Sequence, residues 1–411
     1  MRGIETNCGR KVTGLALDLA EVMLLPCRIL MPSLLKQRIP ELDGLRGLAI
    51  LLVLVFHYIS QEGVLSPGTL ADRLQRFVIM GWTGVDLFFV LSGFLIGGLL
   101  MDARNSASFF KTFYGRRFFR IIPIYYLWIL FYAILIGLAG NAITRVSNSG
   151  VRPPLELGIF SYFLFLQNFI SMTLFGLAGA WFGHLWSLAV EEQFYLIAPL
   201  VVRFTTERHL KWILGVAVMA VPLLRIFLLR VLHVPNPQIT VLVICRADAL
   251  AIGMLTAALT RGETPLLSIE RNIKKLFVSL GILLSGVVVL WKFSPQASTF
   301  GMQSIGYTWM ALFYAVILVL GIGHQQGWIA RLLRTRWLRE LGVVSYCVYI
   351  IHIVVNVVLH AVLLHKVPRI STGKGAAVTV LAAFVTYGVA KMSWLLLEAP
   401  LQRRGHAKFK Y

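Results

Sequence analysis

Arg46 and His57 stand eleven residues apart in the stretch Glu41-Leu-Asp43-Gly44-Leu-Arg46-Gly47 … Phe56-His57-Tyr58, and the residues between them are apolar. On an α-helix that spacing is close to three turns, so guanidinium and imidazole share one face, about 16 Å apart along the axis. A histidine, with an ordinary pKa near about 6.5, can take and return a proton at neutral pH, which makes His57 a candidate general base. An arginine at the start of the same helix is a candidate anion ligand. The plainer alternative is a buried histidine satisfied by a neighbouring helix. Three other ionisable groups argue against it: Asp86, Glu191 and His352 each lie deep in a separate apolar stretch. At about 1.5 Å per residue, all four come to roughly 12–16 Å from a span end. In a hydrocarbon core about 30 Å thick they would meet at one level, as a central polar site.

Further candidates flank these. Arg116, Arg117 and Arg120 form a compact basic patch just before Pro123. Arginine forks suit phosphates, although topology alone can also account for basic residues there. Ser187, Glu191 and Tyr195 follow at i, i+4 and i+8, so one helical face is polar among apolar neighbours, with Glu192 turned about 100° away. Ser345, Tyr349, His352 and Asn356 form a second polar stripe. Arg246 and Asp248 cannot share a face, so each is expected to meet a different helix as a structural ion pair. Arg225 is one candidate partner. The glycines at 81, 84, 93, 97 and 98 are read as close-packing positions.

The elements that must position these groups are membrane spans. Of 411 residues, 58% are hydrophobic and 14% charged, more apolar surface than a soluble domain uses. Ten apolar stretches are long enough to cross, near 46–63, 77–101, 120–140, 183–204, 211–232, 238–260, 274–293, 302–323, 341–364 and 375–397. The net charge of +21 follows from 39 Lys and Arg against 18 Asp and Glu. With the N-terminus in the cytoplasm, 26 of those 39 cations fall in cytoplasmic segments, about 8 lie outside and 5 within spans. The excess is thus an orientation signal that places both termini in the cytoplasm, and nucleic acid is not an expected partner.

Cys8, Cys27, Cys245 and Cys347 show neither disulfide nor metal spacing. Residues 1–37 read as a cytoplasmic extension rather than a signal peptide, with Leu15 to Leu35 compatible with an amphipathic helix on the inner leaflet or an inert segment. Residues 38–400 form one transmembrane domain and 401–411 a basic cytoplasmic tail. The expected fold is an all-α polytopic membrane protein of about ten transmembrane helices around a central polar cavity. A re-entrant or interfacial segment is expected near 158–172, where an aromatic run is too short to span.

Taken in order, these pieces resemble the acyltransferase family 3 membrane proteins, which include bacterial polysaccharide O-acetylases. The resemblance rests on Asp43-Gly-Leu-Arg46 with His57, Gly84-Val-Asp86-Leu-Phe-Phe with Ser92-Gly-Phe, and Arg116-Arg-x-x-Arg120-Ile-x-Pro123-x-Tyr125. It continues through Trp186-Ser187-Leu-x-x-Glu191-x-Gln-Phe-Tyr195, Ser345-Tyr-x-x-Tyr349-x-x-His352 and the ending Glu398-x-Pro400. The segment before Arg38 is longer than is typical for the family.

The resemblance implies transfer of an acyl group, commonly acetyl, from cytoplasmic acyl-CoA to a hydroxyl on a saccharide acceptor, in the bacterial inner membrane. Acyl-CoA would be a co-substrate, with no permanently bound cofactor and no metal. Arg46, Arg116, Arg117 and Arg120 would then hold its phosphates and His57 would act as base. Asp86 or Glu191 would orient the imidazole, and Tyr349 or Ser92 would donate to the developing oxyanion. Asp43, Ser92, Ser187, Tyr195, Tyr349 and His352 would contact substrate. Residues alone leave two alternatives open: an acyl-histidine relay, and a transporter or flippase of a lipid-linked saccharide using the same midplane site.

Overall fold

The computed structural model describes residues 39–60, 68–147, 160–170, 182–261 and 269–411. The expected amphipathic segment at 15–35 lies outside the described residues. Those described fold into helices without a strand, and ten helical segments are long and apolar enough to cross a membrane. They fall on the ten stretches read from sequence. Helices suit this setting because each satisfies its own backbone where no water can.

α1 (Pro40–Val55) opens on a proline, which loses no helical hydrogen bond at that position. It continues into a π-helical turn, Phe56–Ser60, that carries His57. α2 (Leu70–Val78) is capped by Thr69, whose hydroxyl accepts from the Asp72 N–H at 3.2 Å. A 3-10 turn, Ile79–Thr83, then leads into α3 (Gly84–Ala103). α4 (Phe109–Ser147) carries the basic patch in its opening turns. A 3-10 turn, Gly183–Leu185, precedes α5 (Trp186–Phe204), and α6 (Glu207–Arg230), α7 (Asn236–Val241) and α8 (Val243–Leu259) follow.

α9 (Ile273–Phe293) fully buries no residue and packs only one side, through Leu276, Leu280, Val287 and Leu290, whereas α3 is buried along most of its length. After the π turn Met302–Gly306 come α10 (Tyr307–Gly323), α11 (Trp328–Leu333) and α12 (Arg336–Val343). α13 (Ser345–Leu364) and α14 (Gly373–Ser393) cross last, and a π turn, Trp394–Glu398, joins α14 to α15 (Ala399–Lys408).

Two glycine contacts set the close approaches on which the site depends. α3 and α8 meet backbone to backbone: a Cβ on Gly93 would strike the Leu250 carbonyl, and one on Gly253 the Val90 carbonyl. α1 meets α12 in the same way through Gly47 and Gly342, next to the turn that carries Arg46. Such contacts supply the van der Waals packing that holds helices together where lipid is as apolar as the helix surface.

The aromatic run expected to re-enter is described from 160 to 170, and it packs one side into the protein while Phe160, Leu164 and Phe169 stay exposed. Phe165 stacks on Tyr125 with ring centroids 4.5 Å apart. The Gln167 amide donates to the Leu185 carbonyl at 2.9 Å. The Asn168 and Gln193 side chains exchange hydrogen bonds of 3.1 and 2.9 Å.

Overpacking a filled helix contact costs about 1–3 kcal/mol. Gly253→Val should therefore lower the unfolding temperature in detergent. Gly215→Ala, at a glycine with no neighbour within 4 Å, should leave it unchanged or higher.

Candidate active site

Arg46 of α1, Ser92 of α3, Arg117 and Arg120 of α4, and Tyr349 of α13 line one cleft of about 100 Å³. α5 adds Ser187, Glu191 and Tyr195, so the stripe spaced at i, i+4 and i+8 does face a shared space. A second cavity, of about 290 Å³, adjoins it, and Arg46, Arg120, Ser345 and Tyr346 line both. Asp43, Glu398 and Gln402 complete the second.

The charge balance of the cleft is lopsided. Arg46 reaches Asp43 at 3.4 Å. Arg117 lies over the ring of Tyr195, 5.3 Å from its centroid, and neither it nor Arg120 forms a hydrogen bond or ion pair with a described residue. Opposite them a hydroxyl chain ends on a carboxylate. The Ser92 hydroxyl lies 2.6 Å from that of Tyr195, which donates to Glu191 Oε2 at 3.2 Å.

Arg116 is turned away from this space. Its Nε donates to the Phe409 carbonyl at 2.9 Å, and its guanidinium stacks over Tyr411 at 4.9 Å. The hydroxyls of Ser108 and Thr112 both donate to the Lys410 carbonyl at 2.8 Å, pinning the same tail. Burial pushes the Tyr411 hydroxyl up to about 12. The basic patch therefore divides, with Arg117 and Arg120 in the cleft and Arg116 serving as the tail's anchor.

His57 does not line the cleft. It belongs to a cluster of three imidazoles on the far side of Tyr349. Ring centroids are 4.9 Å apart for His57 and His352, 4.9 Å for His184 and His352, and 6.2 Å for His57 and His184. Main-chain carbonyls hold each ring. His57 Nδ1 lies 2.9 Å from the Val53 carbonyl, one turn back on its own helix. His352 Nδ1 lies 2.7 Å from the Tyr349 carbonyl, and His184 Nε2 reaches that same carbonyl at 2.9 Å.

Tyr349 is the wall between cleft and cluster. Its hydroxyl donates to the His184 carbonyl at 2.7 Å and lies 2.6 Å from Ser187 Oγ, while its ring packs 5.4 Å from that of His184. Tyrosines from two more helices brace α13 here. Tyr58 donates to the His352 carbonyl and Tyr132 to the Ile350 carbonyl, each at 3.0 Å.

Asp86 stands elsewhere. It is fully buried and pairs with Arg246 of α8, whose guanidinium lies 3.7 Å from the Tyr307 ring centroid. Arg225 pairs with Asp248 at 2.9 Å and also donates to Thr308 and to the Cys245 and Gln303 carbonyls. Arg246 and Asp248 thus meet different helices, as their spacing requires. The four groups expected at one level fall into three places: His57 with His352, Glu191 in the arginine cleft, and Asp86 in an ion pair. Neither Asp86 nor Glu191 hydrogen-bonds the His57 ring, which the Val53 carbonyl orients instead.

His184 was not among the candidates. It lies at the mouth of a span, only three residues before Ser187. A depth count treats such a residue as interfacial, although its 3-10 turn carries it inward until it is 6% exposed.

Residues 39–390 match the family model described as an acyltransferase domain. The chain is 26% identical over 395 residues to a peptidoglycan O-acetyltransferase, OatA, of Listeria monocytogenes, covering 91% of this chain and 57% of that protein. It is 25% identical over 383 residues to the O-acetyltransferase OatA of Staphylococcus aureus, covering 91% and 58%. The chain thus spans somewhat over half the length of these relatives. No solved structure matches it.

The Asp86–Arg246 pair offers a test of its structural role. Removing one partner of a buried pair strands the other charge, at a cost of about 3–5 kcal/mol, whereas replacing both with apolar residues of similar size is close to neutral. Asp86→Leu alone should sharply lower the unfolding temperature, and Asp86→Leu with Arg246→Met should restore most of it.

Proposed function

This chain belongs to acyltransferase family 3, and on that premise we propose that it is a membrane O-acyltransferase. It would move an acyl group, acetyl foremost, from cytoplasmic acyl-CoA to a saccharide hydroxyl. One observation carries the reading: three guanidinium groups from two helices converge on a cleft in which Arg46 pairs with Asp43 at 3.4 Å, while the Glu191 carboxylate across the cleft accepts from Tyr195 and forms no ion pair with a described arginine. Like charges gathered with so little compensation suit an anionic ligand, and guanidinium forks pair bidentately with phosphate. The asymmetry of Lys and Arg supports an orientation with the Arg46 end of the bundle in the cytoplasm, where acyl-CoA is found.

The roles follow from reach. The rise from Arg46 to His57 is about 16 Å, on the order of an extended phosphopantetheine arm. With the donor's phosphates at Arg46, Arg117 and Arg120, the arm points along the cleft toward Tyr349, and the thioester meets His57 once Tyr349 swings aside. His57 uses Nδ1 on the Val53 carbonyl, which only accepts, so this nitrogen carries a proton and Nε2 is left as the base. Nε2 takes the acceptor hydroxyl's proton as the oxygen attacks the thioester carbon. The C–S bond then breaks and the proton returns to the departing sulfur, so nothing is left over. The Tyr349 hydroxyl, released from the His184 carbonyl, is placed to donate to the oxyanion.

The acceptor belongs to the saccharide class. The peptidoglycan named for the Listeria relative is a member of it, and this chain would act on an envelope saccharide or lipid-linked glycan at the face opposite the arginines.

Inverted membrane vesicles supplied with labelled acetyl-CoA test the reading. Wild type should transfer label to an envelope fraction. His57→Ala at equal expression should lose about 100- to 10,000-fold in kcat with the KM for acyl-CoA little changed. An intact donor with no label transferred by wild type would instead favour transport of a lipid-linked saccharide through the same site.

A further inference from the structure

Beside His57, two buried acceptors have nothing to accept. Main-chain carbonyls only accept hydrogen bonds, so each ring nitrogen facing one must carry the proton. That assigns Nδ1–H to His57 and His352, and Nε2–H to His184. All three rings are then neutral, with bare nitrogens at His57 Nε2, His352 Nε2 and His184 Nδ1. The last two are buried and unpartnered among the described residues. His352 is fully buried and His184 6% exposed. Buried acceptors without donors are costly and uncommon, and two in one cluster call for an explanation.

The surroundings exclude the usual one. The groups facing the cluster are Tyr58 from the turn that ends α1, Tyr349 from α13, Tyr132 from α4 and Thr386 from α14. Each of these hydroxyls is engaged by a carbonyl or by another hydroxyl. No described Asp, Glu, Lys or Arg hydrogen-bonds or ion-pairs with any of the three rings. A serine hydrolase places a carboxylate behind its histidine to stabilise the imidazolium. Here the Val53 carbonyl stands in that place, at His57 Nδ1, and the other two imidazoles lie beside the ring.

We propose that His352 and His184 are acceptors for the proton that His57 gains during transfer, so that three imidazoles share one transient positive charge. The inference rests on the acyl-transfer reading and adds two positioning residues to it. When His57 Nε2 removes the hydroxyl proton, the new charge arises with the His352 ring 4.9 Å away by centroids, and a rotation of the rings would bring the unpartnered His352 Nε2 to the new N–H. If the proton moves on to His352, the unpartnered His184 Nδ1, on a ring 4.9 Å away by centroids, is the next acceptor a ring rotation would bring to it. His352 is the middle member, 4.9 Å by ring centroids from each of the other two. The proton goes back through His57 to the sulfur as the C–S bond breaks. The cluster gains and loses one proton per turnover, and no co-reactant is needed. Acceptors left empty at rest and filled only when charge develops strengthen the transition state over the ground state, which is what accelerates a reaction.

Steady-state acetyl transfer by wild type, His352→Leu and His352→Gln, between about pH 5 and 9, tests this. Leucine offers no acceptor. It should lower kcat by at least about tenfold, leave the KM for acyl-CoA within about twofold, and move the acid limb of the profile to lower pH, because the charged cluster has lost a partner. Glutamine, whose amide oxygen accepts, should recover much of kcat. His184→Asn, read in the same way, serves if the leucine variant does not fold. The proposal is overturned if His352→Leu keeps kcat within about twofold of wild type, or if leucine and glutamine lose activity equally with the acid limb unmoved. Either result, with wild type active and His57→Ala inactive, leaves the acyl-transfer reading standing.

Discussion

Inside hydrocarbon nothing solvates a charge or a carbonyl, so each polar group in this bundle needs a partner in the protein. Most have one. Arg225 is met by Asp248, Thr308 and two carbonyls. Asp86 meets Arg246, and the α13 carbonyls around His352 take hydrogen bonds from tyrosines on two other helices. The same rule makes the exceptions conspicuous. Arg117 and Arg120 face a cleft without a described carboxylate bonded to them, and one ring nitrogen each of His184 and His352 is buried without a partner.

The arginine cleft and the histidine cluster both adjoin Tyr349. Tyr349 forms a wall of the arginine cleft, while its carbonyl holds both His184 and His352. Its hydroxyl closes the bond back to His184. A residue bonded on both faces links the arginine cleft to the histidine cluster. The glycine contacts of α3 with α8, and of α1 with α12, hold the helices close enough for such short bonds to form.

The ten spans were legible in the sequence because apolar length is a direct signal, and the aromatic run at 160–170 declared itself by being too short to cross. Helical spacing also placed Ser187, Glu191 and Tyr195 on one face, and that face lines the cleft. Other features depended on contacts between helices. A depth count set Asp86 level with His57, but partner choice is decided across the bundle, and Arg246 reaches it from α8. Arg116 differs from Arg117 by one residue and about 100° of rotation, enough to turn it from the cleft to the tail. His184 was obscured by its position at a span end, since a linear count cannot show a turn folding inward.

Acetyl-CoA binding to the purified protein, by titration calorimetry in detergent, tests most directly whether the arginine cleft is the donor site. A charge-assisted hydrogen bond is worth about 1.5–3 kcal/mol, which corresponds to roughly 10- to 100-fold in affinity. Arg120→Ala and Arg117→Ala should each weaken binding by that factor, while Arg116→Ala, which frees only the tail, should bind nearly as wild type does. Equal affinity in all four proteins, with each folded, would contradict the account and place the donor elsewhere.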